Sequence, residues 1–399
     1  MRILFTAAAP WVNSGYGKPM RSLVPMLTQA GHEIGLCAFF GFQGTVAEME
    51  VGGVTLRVYP IMKASYFNDS IQHHVKDFNA DIVITLQDVW ILQNWGKRGF
   101  AWCPWMPVDS HPVTDMILDA MSSCHTALVY TRWAQTELNA HGFENNRYMP
   151  LGTDTKIYKP MDKRECRKLF GFPEDTFIAG MIGANSSYPS RKSIPEVLMA
   201  WRRWIDDGRE GILYVHTSLT PKGKVEYGVD FEKVLKMLDL PWSTIDDPDP
   251  ERHARARVIL PSQYKYWTGT YDDAELAQII NTFDVLLEPS MAEGFGLPII
   301  EAQACGVPVV TLNNTSMPEI TFAGKCLEPL QMTWDLIGSF RHIASIQSIY
   351  DALIWASELT ENEKMDLAQL GRTSVMPFDW ENIINTHMLP FLDEFEAEL

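Results

Sequence analysis

The chain has 399 residues, 46% of them hydrophobic and 21% charged, an ordinary globular composition on a length that calls for two domains. Thirty-three Lys and Arg against 50 Asp and Glu leave a formal charge of −17, which argues against nucleic acid as a partner, since backbone binding works through cationic release of counterions. Cys37, Cys103, Cys124, Cys166, Cys305 and Cys326 form no C-x-x-C pair and no zinc-like spacing, so reduced thiols, no metal site and a cytoplasmic location are expected. No segment approaches the ~20 apolar residues that cross a bilayer, which leaves at most a peripheral membrane contact.

Apolar runs of strand length occur at 2–8, 33–40, 54–59, 81–86 and 127–131, each bounded by Gly, Pro, Asn or Asp. Between the first two, Met20, Leu23, Val24 and Leu27 share a helical face, and Gly31 stands where a helix ends. The segment 150–162, with LGTDTKIYKP, breaks the periodicity and marks a domain junction. A second alternating series follows: a strand at 177–182, a helix with Ile194, Val197, Leu198, Trp201, Trp204 and Ile205 on one face, and strands at 211–216, 258–261, 285–288 and 308–312. The last segment, FDWENIINTHMLPFLDEFEAEL, reads as helix despite Pro390. Two doubly wound α/β domains result, 1–155 and 156–377, with 378–399 added to the first.

In such folds ligands bind at the carboxyl ends of the strands, here expected in the cleft between the domains. The loop WVNSGYGKP follows the first strand, and Gly15 and Gly17 would let a ligand approach the backbone ahead of a helix N-terminus. The third glycine of G-x-G-x-x-G is absent, and a tight strand-to-helix turn explains the loop equally well. A sharper signal is VLLEPSMAEGFGLPIIEAQACGVPVV at 285–310. The amides of Gly294, Phe295, Gly296 and Leu297, with the helix that follows, make an anion nest suited to a diphosphate. Glu293 and Glu301 flank the nest, and carboxylates suit the hydroxyl donors of sugar and ribose.

This segment resembles the E-x7-E motif of family 4 retaining glycosyltransferases, with Glu293 and Glu301 as the two glutamates. MRILFTAAAP with SGYGKPMRSLVPMLTQAGHEI, MPLGTDTKIYKP and the terminal FDWENI are similar to further family segments. The resemblance implies the GT-B fold, two Rossmann-like domains facing across a cleft, and transfer of a sugar from a nucleotide donor with retention and without essential metal. It implies no cofactor beyond the donor itself, UDP- or GDP-linked, and a glycan, protein or small-molecule acceptor. It assigns Glu301 to the donor ribose, Glu293 to donor-sugar hydroxyls and the intervening amides to the distal phosphate. The family's paired cations correspond to Arg191 and Lys192 in GANSSYPSRKS, although no Arg follows Gly183, and Asn185 or Ser186 stands in that place. WCPWMPVDSHPV resembles the family's sugar-facing loop, and both Asp109 and His111 fit its polar position. Pro261–Tyr271 lies where the family cradles the base.

No nucleophile is needed if the leaving diphosphate serves as base in a front-face attack. The competing readings are a GT-B epimerase, a non-catalytic sugar-nucleotide module, and a DNA-modifying transferase using Arg252, Arg255 and Arg257. His73 and His74 are expected on a solvated helix face, and the tryptophans 90, 95, 102 and 105 mostly in the core.

Overall fold

The first sheet is built from apolar runs whose side chains are buried on both faces, as parallel strands covered by helices require. The computed structural model describes residues 1–221, 228–335 and 337–398. Its strands, in chain order, are β1 Arg2–Ala8, β2 Glu33–Phe40, β3 Ala47–Val51, β4 Val54–Tyr59, β5 Ile82–Leu86, β6 Trp102–Met106, β7 Ala127–Val129 and β8 Asn146–Tyr148. They lie in the order β3-β4-β2-β1-β5-β6-β7-β8, parallel except for β3. The edge strand β3 was not legible as an apolar run, because Glu48 and Glu50 alternate outward along it. Such charges guard an open edge, and Gly52 and Gly53, both at positive φ, turn it back into β4.

The second sheet comprises β9 Ile178–Ile182, β10 Ile212–His216, β11 Trp242–Thr244, β12 Val258–Leu260, β13 Val285–Glu288, β14 Val309–Leu312 and β15 Gly324–Leu327. Its order is β11-β12-β10-β9-β13-β14-β15. A separate ribbon pairs β16 Pro329–Asp335 with β17 Ser339–Ala344. The helix Ile194–Asp206 buries Trp201 and Trp204, whose rings stack 5.6 Å apart. Gly180 is required in β9, since a Cβ there would come within 2.2 Å of the Phe283 ring.

The chain divides into two units, one of Met1–Asp154, Asp335–Ser339 and Pro377–Leu399, the other of Thr155–Trp334 and Phe340–Met376. The division falls one residue before the boundary expected from sequence and gives a short piece of the ribbon to the first unit. The terminal segment returns to the first unit: Thr153 N donates to Phe378 O at 2.9 Å, and the Trp380 ring covers Gly152, where a Cβ would clash at 2.7 Å. It is not one regular helix. Helical turns at Trp380–Ile383 and Leu389–Glu398 are joined by a π-helical turn at Ile384–Met388, a local widening suited to Pro390, which offers no N–H to the preceding turn. His74 corrects another expectation: it is buried between the rings of Tyr59 and Phe67, not solvated.

Candidate functional site

In the second unit the strand order reverses at β9 and β13, which puts the ligand crevice of a doubly wound sheet at their carboxyl ends. β9 runs out at Ile182–Gly183 and β13 at Glu288–Pro289. The loop after β9 carries Arg191 and Lys192 back to this point, tied there by Met291 N donating to Arg191 O at 2.7 Å. Lys192 is buried, and its Nζ lies 3.0 Å from Glu288 Oε2 and 2.9 Å from Glu293 Oε1. Arg191 Nη1 is 2.8 Å from the same Glu293 oxygen and donates to Ala292 O at 2.6 Å. The pairing at Glu293 is chiefly coulombic, with hydrogen bonding from Lys192 and Ser290 the smaller part.

The four charges set one another's protonation. Burial alone would raise the Glu293 carboxyl, but Arg191 and Lys192 outweigh it and hold the group down to about 2. Burial works to lower the Lys192 ammonium, and Glu288 and Glu293 more than reverse that, so it stays charged. Glu288 is different. Burial pushes its carboxyl above the usual glutamate range, and Lys192 offsets this only in part. Glu288 was not singled out in the sequence, where a glutamate closing an apolar strand looks like its polar end. Gly183 is part of the same construction, because the Lys192 stem lies across it and a Cβ would stand 3.0 Å from Cγ and 3.1 Å from Cδ and Cε.

The glycine turn and its helix complete the site. Gly296 caps the helix Leu297–Ala304 at φ +102, a conformation that favours glycine, and among the described residues no side chain caps the first turn. Thr315 and Ser316 brace the turn from behind: Thr315 Oγ1 accepts from Glu293 N at 3.0 Å, and Ser316 Oγ donates to Glu293 O at 2.7 Å and Phe295 O at 3.1 Å. Glu301 is buried in the second turn, and its charge is felt at Tyr158 and Cys305, both of which burial already raises. Asn185 does not take the place of the missing cation. It is buried, accepting from Val229 N at 2.6 Å and donating to Val229 O at 2.7 Å and Ser218 O at 3.2 Å, a clamp between loops.

In the first unit the order reverses at β1 and β5. Gly17 is sterically required, as a Cβ would come within 2.3 Å of Val12 O, whereas Gly15 faces open space. Tyr16 between them donates to Asp88 Oδ2 at 2.9 Å; burial first, then the charges of Asp88 and Asp109, hold its phenol well above the ordinary value. Asp109 is half-buried beyond the end of β6. The exposed His111 has Nδ1 2.9 Å from Glu137 Oε2, so one ring nitrogen is committed to the helix Arg132–Ala140. Gln87, at the end of β5, is buried, and among the described residues neither of its side-chain polar atoms has a hydrogen-bond partner, a feature that only tertiary structure reveals.

The segment Pro261–Tyr271 forms the short helix Gln263–Thr268, anchored where Gln263 Oε1 accepts from Leu219 N at 2.7 Å. It borders a cavity of about 600 Å³ lined in part by Ser262, Lys265, Tyr271 and Glu275. Arg252, Arg255 and Arg257 do not form a free basic patch: they face Asp247 at 2.6 Å, Glu251 at 3.2 Å and Glu210 at 4.0 Å. Trp95, Trp102 and Trp105 are buried, and Trp90 is exposed. Among the described residues no three His, Cys, Asp or Glu come together as metal ligands, and no helix is long and apolar enough to cross a membrane.

Residues 246–330, which contain Glu288, the glycine turn and both motif glutamates, match the family Glycosyl transferases group 1. The chain is 27% identical over 241 residues to the O-antigen chain mannosyltransferase B of Escherichia coli, covering 55% of each chain. It is 29% identical over 167 residues to the D-inositol 3-phosphate glycosyltransferase of Paenarthrobacter aurescens, covering 41% of this chain and 34% of that one. The match thus spans about half of the first of these relatives and a third of the second. Among solved structures, sucrose-phosphate synthase from Thermosynechococcus elongatus superposes with a TM-score of 0.75 at 17% identity, covering 100% of both chains. Anabaena HepE in complex with UDP-glucose does so with a TM-score of 0.67 at 15% identity, covering 99% of this chain and 100% of that one. The fold is GT-B.

Proposed function

We propose that this chain is a retaining glycosyltransferase that moves a sugar from a nucleotide-diphosphate donor to an acceptor hydroxyl without an essential metal. The observation that carries the reading is the convergence of Arg191 and Lys192 on Glu293 beside the amides of Gly294, Phe295, Gly296 and Leu297. Those amides and the helix N-terminus receive the distal phosphate, and the two cations stabilise the negative charge that grows on the diphosphate as the glycosidic bond breaks. Glu301 takes the ribose hydroxyls and Glu293 the hydroxyls of the donor sugar. Asp109 and His111 serve the sugar and acceptor end of the reaction, and Gly15 and Gly17 admit a ligand to the backbone after β1. The leaving diphosphate accepts the acceptor's proton on the face it departs from, which preserves the anomeric configuration.

The donor base belongs at Pro261–Tyr271, where aromatic side chains give it a stacking surface. UDP- and GDP-linked sugars are the first donors to try. Mannosyl donors join them because a similar protein is a mannosyltransferase, and ADP-linked ones because a starch synthase of like fold holds ADP. A non-catalytic module has no need of both glutamates, and the acid-paired arginines disfavour a nucleic-acid acceptor. The reading is tested by thermal stabilisation of the protein and its Glu301→Ala variant against UDP-, GDP-, ADP- and dTDP-sugars without added metal. A rise in melting temperature with one base, lost in the variant, is expected; no response to any donor from folded protein refutes the reading. Retention is read from the anomer first released by slow donor hydrolysis, followed by proton NMR.

A further inference from the structure

The cations assigned to the diphosphate are already occupied. Two cations and two carboxylates cancel within the group Arg191, Lys192, Glu288 and Glu293, so an arriving diphosphate meets a neutral cluster, not a positive one. It brings two negative charges to a place where two buried carboxylates already stand, and one of the carboxylates must yield. Glu293 is poorly suited to do so, being paired with both cations. Among the described residues Glu288 has Lys192 alone as counter-ion, and it is 1% exposed.

The surroundings of Glu288 accept its neutral form. From β9, Ile182 N donates to Oε1 at 3.2 Å, a bond that a carboxylic acid keeps. From the loop after β13, Ser290 Oγ is 3.3 Å from Oε2, and a hydroxyl there can receive a proton as readily as donate one. From β14 the neighbour in register is the uncharged Thr311. Among the described residues, the charged groups facing Glu288 are Lys192 and Glu293, with Arg191 behind the latter.

We propose that Glu288 is a positioning residue that holds Lys192 in place before the donor arrives and takes up a solvent proton as the donor binds, freeing the ammonium for the diphosphate. The balance is simple: one proton passes from solvent to Glu288 Oε2, Lys192 stays protonated, and its ion pair moves from the carboxylate to a phosphate oxygen. Donor affinity therefore falls as the pH rises, a dependence that belongs to Glu288. The inference rests on the reading of this site as a diphosphate pocket.

Calorimetric titration of the whole chain with UDP-glucose, GDP-mannose and ADP-glucose at pH 7.5, in HEPES and in Tris, tests it. These diphosphate diesters carry no titratable phosphate proton near neutrality, so any buffer dependence of the binding heat counts protons exchanged by the protein. The expected result for whichever donor binds is uptake of about 0.5–1 proton, with affinity falling up to about tenfold per pH unit between pH 7 and 8.5. In Glu288→Gln, uptake disappears and affinity is flat across that range. A merely structural role would change affinity without changing the proton count. Wild-type binding without proton uptake, or uptake retained in the Gln variant, overturns the proposal. If the variant does not fold, wild-type binding without proton uptake still overturns the proposal. Binding of none of the donors removes the diphosphate reading and this inference with it.

Discussion

Replacing Lys192 by Met keeps the volume of the stem and removes the charge, and its effect on stability can be worked from the contacts. Glu293 retains Arg191 at 2.8 Å, but Glu288 loses the one counter-ion it has among the described residues and keeps Ile182 N and Ser290 Oγ. A buried carboxylate so placed takes up a proton, and that sets a ceiling on the loss. Protonating a glutamate at pH 7, about 2.7 units above its ordinary value, costs up to about 3.7 kcal/mol at about 1.36 kcal/mol per unit. At pH 5 the same ceiling is about 1 kcal/mol. Burial raises Glu288 in the wild type as well, which shares part of the cost. The sign follows from linkage: a carboxyl raised above its unfolded value contributes most at low pH, and the contribution is lost as pH rises through the folded value. Lys192→Met should therefore be clearly less stable than wild type at pH 7 and recover much of the difference at pH 5. Urea unfolding of both proteins at each pH, comparing midpoints of the transition that the substitution moves, gives the answer. An equal loss at both pH values would mean that Glu288 does not titrate against Lys192, and the account of the cluster would fail.

Two further predictions concern the frame around the cluster. Gly183→Ala places a Cβ 3.0–3.1 Å from the Lys192 stem, which must shift by a few tenths of an ångström; a stability loss of about 1 kcal/mol and weaker donor binding are expected, and thermal melting with donor titration checks both. Asn185→Ala strips Val229 N and two buried carbonyls of their partner and should cost about 1–3 kcal/mol; an unchanged melting temperature would show that the clamp is dispensable.

Much of the fold was readable because the central strands β1, β2, β9 and β13 are apolar on both faces and punctuated by Gly, Pro or Asp. The residues β3 and β16 escaped that test for opposite reasons. β3 alternates Glu outward, and β16 turns Leu330, Met332 and Trp334 to the outside, so neither pattern marks a buried strand. In the site, Arg191, Lys192, Glu293 and the glycine turn stood out by spacing and by resemblance to a known motif. Glu288 did not, since Lys192 is 96 residues away and the pairing exists only once β9 and β13 lie side by side. Asn185 was noted only as standing where the family has an arginine, whereas its amide is used in holding backbone. His74 shows the limit of composition: a polar name on an amphipathic helix did not reveal that Tyr59 and Phe67 enclose it.

The return of Pro377–Leu399 to the first unit has a consequence for synthesis. Residues 155–376 hold all of the second unit and intervene between the two principal pieces of the first. At 5–20 residues per second the ribosome needs about 10–45 s to travel from Asp154 to Pro377. Throughout that interval the nascent β8 lacks Glu394, to which Arg147 donates through Nη1 and Nη2, and Gly152 lacks the Trp380 ring. The later-made unit can finish first, while the earlier-made one waits for the segment that packs on Arg147 and Gly152. Translational pausing or premature termination after Met376 would therefore harm the amino-terminal unit most, although every one of its strands had already been made.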